Sequence, residues 1–375
     1  MTLIFSRIFG FFKSNIVMTV ALIAAVVTSV IVPPDKAYVG YFDFKTLTCL
    51  FCVLAVVCAL KNIRFFYILA RKIVEVCGNI RSCVLMLVYI TFIGSMLIAN
   101  DMALLTFLPL GYYVLHTTKQ EKYMEVTFIL QNIAANLGGM LTPFGNPQNL
   151  YLYSFFEIDN LEFVGIMAPC FTVAIVLITL CCLIFIKPEK VVLQKQRVNL
   201  PPVKASIYLL LFAYSILIVF RGIPYWTGLI VIPLFLIFMD RDALRAVDYP
   251  LLLTFVFFFV FAGNMARIDA VRTAFSFLLS KSTLLFSVLS CQVISNVPSA
   301  VLLSQFTNNY ADLLVGVNIG GAGTLIASLA SLITFREYAK HNPTRFKHYI
   351  VTFSLFNFGF LAVLTAFALI WNVVF

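Results

Sequence analysis

Residues 136–149 read Asn136-Leu137-Gly138-Gly139-Met140-Leu141-Thr142-Pro143-Phe144-Gly145-Asn146-Pro147-Gln148-Asn149, in the middle of an apolar stretch running from about 123 to 156. Proline inside a helix costs about 3 kcal/mol, because it lacks an N–H and its ring clashes with the preceding turn, and each glycine adds about 1 kcal/mol. With Gly138, Gly139, Pro143, Gly145 and Pro147 so close together, a continuous helix is not expected. Unwound backbone at membrane depth survives only where protein or a water-filled cavity covers it. The break is therefore expected to line a site, its free carbonyls suiting a cation and its helix N-termini an anion. A proline kink that only shapes helix packing is the plain alternative; Asn146, Gln148 and Asn149 beside the break argue against it.

The surroundings make the membrane setting compelling. The chain is 375 residues long, 62% hydrophobic and only 11% charged, with a mean hydropathy of +1.01, whereas a soluble domain is about 25% charged. The net charge of +10 sits in short loops between apolar runs rather than on one polar face, so it reads as the positive-inside pattern and not as nucleic-acid binding. Arg7 and Lys13 ahead of the run Ile16 to Val32 resemble a signal peptide, but the run is long and lacks a convincing cleavage site, so it is read as a retained first helix. Nine cysteines are scattered through apolar runs, and the Cys49-x-x-Cys52 pair has no further metal ligands beside it.

Hydrophobic segments fall at about 16–34, 46–60, 83–115, 123–156, 162–186, 205–220, 226–239, 250–263, 282–306, 311–334 and 349–373. If 83–115 and 282–306 enter and leave on one face, nine crossings result, with the N-terminus inside and the C-terminus outside. Of the 26 basic residues, only Lys36, Lys45, Arg221, Arg267, Arg272 and Lys281 then lie outside. Two stretches, Lys61 to Arg81 and Asn264 to Lys281, mix charges with apolar residues at helical spacing and read as interfacial. Each precedes one of the non-crossing segments.

The chain also repeats itself. Ala99-Asn100-Asp101 resembles Ser295-Asn296-Val297, and Asn136-Leu137-Gly138-Gly139 matches Asn318-Ile319-Gly320-Gly321, with Thr142 on Thr324, Gly145 on Ala327, Asn146 on Ser328 and Asn149 on Ser331. Parity makes the copies inverted. The expected fold is an all-α polytopic membrane protein of two inverted repeats, each with a re-entrant hairpin and a broken transmembrane helix. The first repeat spans 1–186, a basic cytoplasmic loop and linker helix 187–225, and the second repeat 226–375. Such repeats place a transporter's site near the bilayer midplane.

Among the 16 acidic residues, Asp101 alone falls deep within an apolar run. An acid there costs about 2.5–3.5 kcal/mol on insertion scales, so Asp101 is expected to accept a coupling proton or sodium ion. The expected substrate and ion site comprises Asn100, Asp101, Thr142, Gly145, Asn146, Asn149, Ser295, Asn296, Thr324 and Ser328, with a monovalent cation at Asn100, Asp101, Gly145 and Asn296. Polar residues that merely join helices are the alternative reading. His116, His341 and His348 lie at segment ends or in loops and show no metal-binding spacing.

At these residues the chain resembles the ion transporter superfamily, which includes arsenical pumps, citrate carriers and divalent anion symporters. The resemblance rests on Ala99-Asn100-Asp101, Thr142 to Asn149, Ser295-Asn296-Val297-Pro298 and Gly320-Gly321-Ala322-Gly323-Thr324. In the divalent anion branch the hairpin tips read Ser-Asn-Thr and bind sodium and substrate carboxylates. By that resemblance Asn100 and Asn296 match the central Asn and Ser295 the Ser, whereas Asp101 and Val297 replace the threonines and Ala99 a serine. Ala-Asn-Asp is closer to the arsenical pump branch. The resemblance implies a homodimer whose mobile domain slides against a scaffold.

The expected function is ion-coupled secondary transport of a small inorganic or organic anion across the cell membrane, with proton coupling favoured over sodium. A cation/proton antiporter and a passive channel remain as alternatives. Neither a Walker A sequence nor a G-x-S-x-G elbow is present, so neither an enzyme nor a cofactor beyond the coupling ion is expected, and the partners are the anion and membrane lipid.

Overall fold

The computed structural model describes residues 15–191 and 200–374, and there the chain is helical, with no strand and a single isolated bridge between Asn79 and Lys190. Arg7, Lys13, Lys195 and Arg197, counted above towards the inner side, fall outside the described residues. The first eight helices are α1 (Ile16–Ile31), α2 (Phe44–Asn62), α3 (Phe65–Val74), α4 (Ile80–Ile98), α5 (Asn100–Thr117), α6 (Met124–Gly138), α7 (Pro147–Phe155) and α8 (Asn160–Phe185). Next come α9 (Pro202–Val219), α10 (Tyr225–Met239) and the short α11 (Arg241–Arg245). The last seven are α12 (Tyr249–Ala266), α13 (Asp269–Lys281), α14 (Thr283–Ile294), α15 (Asn296–Leu303), α16 (Tyr310–Ile319), α17 (Leu329–His341) and α18 (Phe346–Val374).

Local chemistry sets many of these starts. A short polar side chain accepts a first-turn N–H that has no partner within the helix. Asp43 does so for Thr46, Asn79 for Ser82 and Asp248 for Leu251, each at 2.9 Å. Pro147 starts α7, where its missing N–H removes nothing from the helix.

Six stretches are long and apolar enough to cross a bilayer: Phe44–Asn62, Ile80–Ile98, Asn160–Phe185, Pro202–Val219, Arg241–Ala266 and Phe346–Trp371. Five of them coincide with expected crossings. The sixth is α4, which was expected to form one arm of a non-crossing pair and has the length to cross by itself. The helices at two more expected crossings, α1 and α10, are apolar but have only 16 and 15 residues. The remaining two expected crossings are interrupted, α6 from α7 and α16 from α17. Large apolar side chains such as Val20, Ile184, Leu210, Phe238 and Leu355 face outward, a surface that suits lipid and not water. The chain is a multi-pass membrane protein.

Of the six long stretches α2 is the most enclosed, 72% of its window being buried. It packs against α9, α10 and α11, and also against α7. Helices α4, α5 and α6 pack on one another, as do α14, α15 and α16. The two groups then cross over: α15 lies against α7, and α17 lies against α5 and α6.

Candidate transport site

Each helix pair α4–α5 and α14–α15 turns on one residue. Ala99 (φ 65°, ψ 151°) joins the first pair and Ser295 (φ 74°, ψ 158°) the second. This region favours glycine and costs other residues about 1–3 kcal/mol, so packing on both sides must hold the turn. Immediately after it, the side chain of Asn100 accepts from the N–H of Asp101 at 3.0 Å, and that of Asn296 from the N–H of Val297 at 2.9 Å. Ala99→Gly and Ser295→Gly should therefore be tolerated and up to about 2 kcal/mol more stable. Ala99→Val should be clearly destabilised, and thermal unfolding of the purified protein measures both. Lower melting temperatures for both glycine variants would show that the turns are not strained.

The tips meet the breaks in the same way. The N–H of Asn100 donates to the carbonyl of Gly145 at 3.2 Å, and the N–H of Asn296 to that of Ala327 at 2.9 Å. Within each break the N–H of Gly145 reaches the carbonyl of Thr142 at 3.2 Å, and that of Ala327 the carbonyl of Thr324 at 3.1 Å. The threonine hydroxyls donate back to the first arm of each pair, Thr142 to the carbonyl of Met96 at 2.7 Å and Thr324 to that of Gln292 at 3.1 Å. All of these bonds join positions that the sequence alignment pairs.

Between the halves, the contacts exchange. Asn146 donates to the Asn318 side chain at 3.1 Å, and its counterpart Ser328 donates to Asn136, the counterpart of Asn318, at 2.8 Å. The exchange joins positions that the sequence alignment pairs. Asn100 also donates to Asn136 at 3.3 Å, and a Cβ placed on Gly321 would lie 3.1 Å from the Asn296 amide and 3.6 Å from Asn136 Oδ1. Asn100, Asn146, Asn296 and Ser328 thus converge, around two residues that the sequence reading used only to align the repeat, Asn136 and Asn318.

Other expected site residues take different places. Asn149 is fully engaged: its amide donates to the carbonyls of Gly139, Met140 and Thr142 at 3.1–3.2 Å, and its oxygen accepts from Asn318 at 2.6 Å. It clamps the first break. In the second break Gln292 does this work, donating to Gly320 and Ala322 at 2.9 and 3.2 Å and accepting from the N–H of Thr324 at 2.9 Å. Thr142 and Thr324 brace the breaks through their hydroxyl protons. The buried Asn146 Oδ1 and Gln148 Oε1 receive no hydrogen bond.

Asp101 points elsewhere, into a cavity of about 70 Å³ lined by Leu50, Val53 and Leu54 of α2, Phe144, Pro147, Leu251 and Leu329, among others. Its Oδ1 has no donor. Asp248, itself exposed, also lines this cavity, so a second carboxylate stands near Asp101. Asp248 reads in sequence as a loop residue capping α12, and only packing carries it to this cavity. The cavity's volume lies well below the roughly 300–1,000 Å³ of ligand pockets, so it suits water or a small ion and not an organic anion. None of the three histidines lines it; they pair with Glu121, Glu337 and Glu125 at 2.9–3.1 Å. Among the described residues no three His, Cys, Asp or Glu side chains gather as metal ligands, and all nine cysteines are free.

A family described as citrate transporter matches residues 1–315 of the chain. The chain belongs to the citrate transporter family. Relatives of this family member include an uncharacterized transporter of Methanocaldococcus jannaschii, 33% identical over 331 residues that cover 88% of this chain and 90% of the relative. The inner membrane protein YbiR of Escherichia coli is 27% identical over 316 residues, 80% of this chain and 82% of the relative. Membership bears out the resemblance read from the hairpin and break motifs, and it makes the chain a membrane transporter and not an enzyme.

Proposed function

We propose that this citrate transporter family member is a secondary carrier that moves a small anion across the cell membrane by coupling it to an ion gradient. In this reading the α4–α5 and α14–α15 pairs are re-entrant hairpins of two inverted repeats, their tips meeting the two breaks near the midplane. The N-terminus is inside and the C-terminus outside. The observation that carries the reading is the paired bond from hairpin tip to break within each half, Asn100 to Gly145 and Asn296 to Ala327, joined by the crossed contacts Asn146 to Asn318 and Ser328 to Asn136 that bring the two halves to one place.

Coupling is assigned to the proton in preference to sodium. Asp101 faces a largely apolar cavity shared with a second carboxylate, and a carboxylate there is most cheaply carried protonated or beside a cation. The same charge would repel an anionic cargo, so cargo and proton enter together. The cavity is too small for a carboxylate such as citrate, so cargo binding requires the hairpin to move away from α2. Sliding of a mobile domain against a scaffold, in a dimer, supplies that movement in this reading. The antiporter reading draws on the donorless oxygens of Asp101, Asn146 and Gln148, which suit a transported cation.

Purified protein in proteoliposomes with an imposed proton gradient distinguishes these readings. Accumulation of a carboxylate or oxyanion above its external concentration, abolished by a protonophore, is the expected result. Dissipation without accumulation would indicate a channel, and proton release driven by a cation with no anion present would indicate the antiporter.

A further inference from the structure

A second and larger cavity, of about 340 Å³, lies where α2 hands over to α3 and faces α5. This volume falls in the range of ligand pockets, about 300–1,000 Å³. Its rim carries Lys61 and Arg64, and Tyr67, Leu105, Thr106 and Pro109 are among the residues that complete it. Among the described residues neither cation forms an ion pair, and the Tyr67 hydroxyl has no partner. Asp240, a carboxylate at this end of α2, is held by the Asn62 amide at 3.1–3.2 Å and caps α11.

Two further features point the same way. Arg64 adopts left-handed torsions (φ 56°, ψ 29°), which glycine would take without strain and which cost an arginine about 1–2 kcal/mol. The ten-residue α3 that follows has no side-chain cap, so the first-turn N–H groups at Phe66 and Tyr67 lack an intrahelical acceptor beside the two cations. We propose that this corner is a binding site for a phosphate- or carboxylate-bearing anion, held by Lys61, Arg64 and the open start of α3. Leu105 lines this cavity and the one at Asp101, and it stands one helical turn, roughly 6 Å, along α5 from Asp101. An anion here therefore sits against the helix whose movement opens the inner cavity. The site does not depend on what the inner cavity carries.

The test uses the full-length protein with two probes. Radiolabelled inorganic phosphate is measured by equilibrium dialysis in detergent, and phosphatidylglycerol retention by native mass spectrometry after release from nanodiscs that also contain phosphatidylcholine. Lys61→Gln/Arg64→Gln is compared with wild type and with Arg241→Gln/Arg245→Gln, which removes the same charge elsewhere. Arg64→Gly keeps the assay interpretable, since it deletes the cation while relieving the left-handed strain and should fold at least as well as wild type. At least a tenfold loss of affinity in the Lys61/Arg64 variants, with the Arg241/Arg245 control retained, supports the site. Loss confined to phosphate identifies a free anion, and loss confined to phosphatidylglycerol a lipid headgroup. Equal losses in the control, or unchanged binding of both probes in the Lys61/Arg64 variants, would overturn it and leave these residues as topology-setting charges only.

Discussion

Gly145→Ala is expected to abolish transport and to lower stability by about 2–4 kcal/mol. An added Cβ would fall on the carbonyl oxygen of Gly139, with the Thr142 hydroxyl oxygen at 2.7 Å and the Gly139 Cα at 2.9 Å. Two of these three neighbours are backbone, so no side chain can swing aside to make room. Overpacking of this kind typically costs about 1–3 kcal/mol, and the Gly145 carbonyl must also shift from the N–H of Asn100, a bond worth about 1 kcal/mol. Gly165→Ala is the control: a Cβ there meets nothing within 4 Å, and in the second turn of α8 it should be neutral or slightly stabilising. Thermal unfolding and proteoliposome flux measure both variants. An alanine variant at position 145 with unchanged melting and flux would mean that the break is not tightly packed.

Asp101→Asn should leave the fold intact and remove coupling. The substitution keeps the side-chain volume in the small cavity and takes away only the charge, so the melting temperature should hold or rise slightly, two carboxylates no longer sharing that space. Accumulation driven by an imposed proton gradient should fall at least a hundredfold in proteoliposomes, while any residual downhill flux ceases to respond to the gradient. A variant that accumulated cargo with the same dependence on proton and sodium gradients as wild type would remove Asp101 from the coupling step.

Much of the architecture could be read from local composition. The interruption between α6 and α7 follows from five glycines and prolines crowded between Gly138 and Pro147, wherever the rest of the chain goes, whereas a single proline is tolerated inside α5, α8 and α10. Asn100 and Asn296 stood out because similar local motifs recur around a shared asparagine, and their hydrogen bonds follow that alignment. The roles of single side chains were less legible. Asn149 looks like a ligand in sequence yet clamps the break, and Thr142 and Thr324 brace it, because three carbonyls or one carbonyl happen to lie within reach. Asp248 passes for an ordinary helix cap until α12 is placed against α2, which brings it to the cavity that Asp101 lines.

By itself the sequence determined that the chain lives in a bilayer, that its helices break in two places, and that the residues around the two breaks align, since hydropathy and backbone propensity act over a few residues. Only the tertiary structure decided that Asn146 meets Asn318 across 172 positions, that Asp248 joins Asp101, and that Lys61 and Arg64 share a cavity with α5. Those partnerships depend on how distant helices pack, and no stretch of neighbouring residues encodes the distance between them.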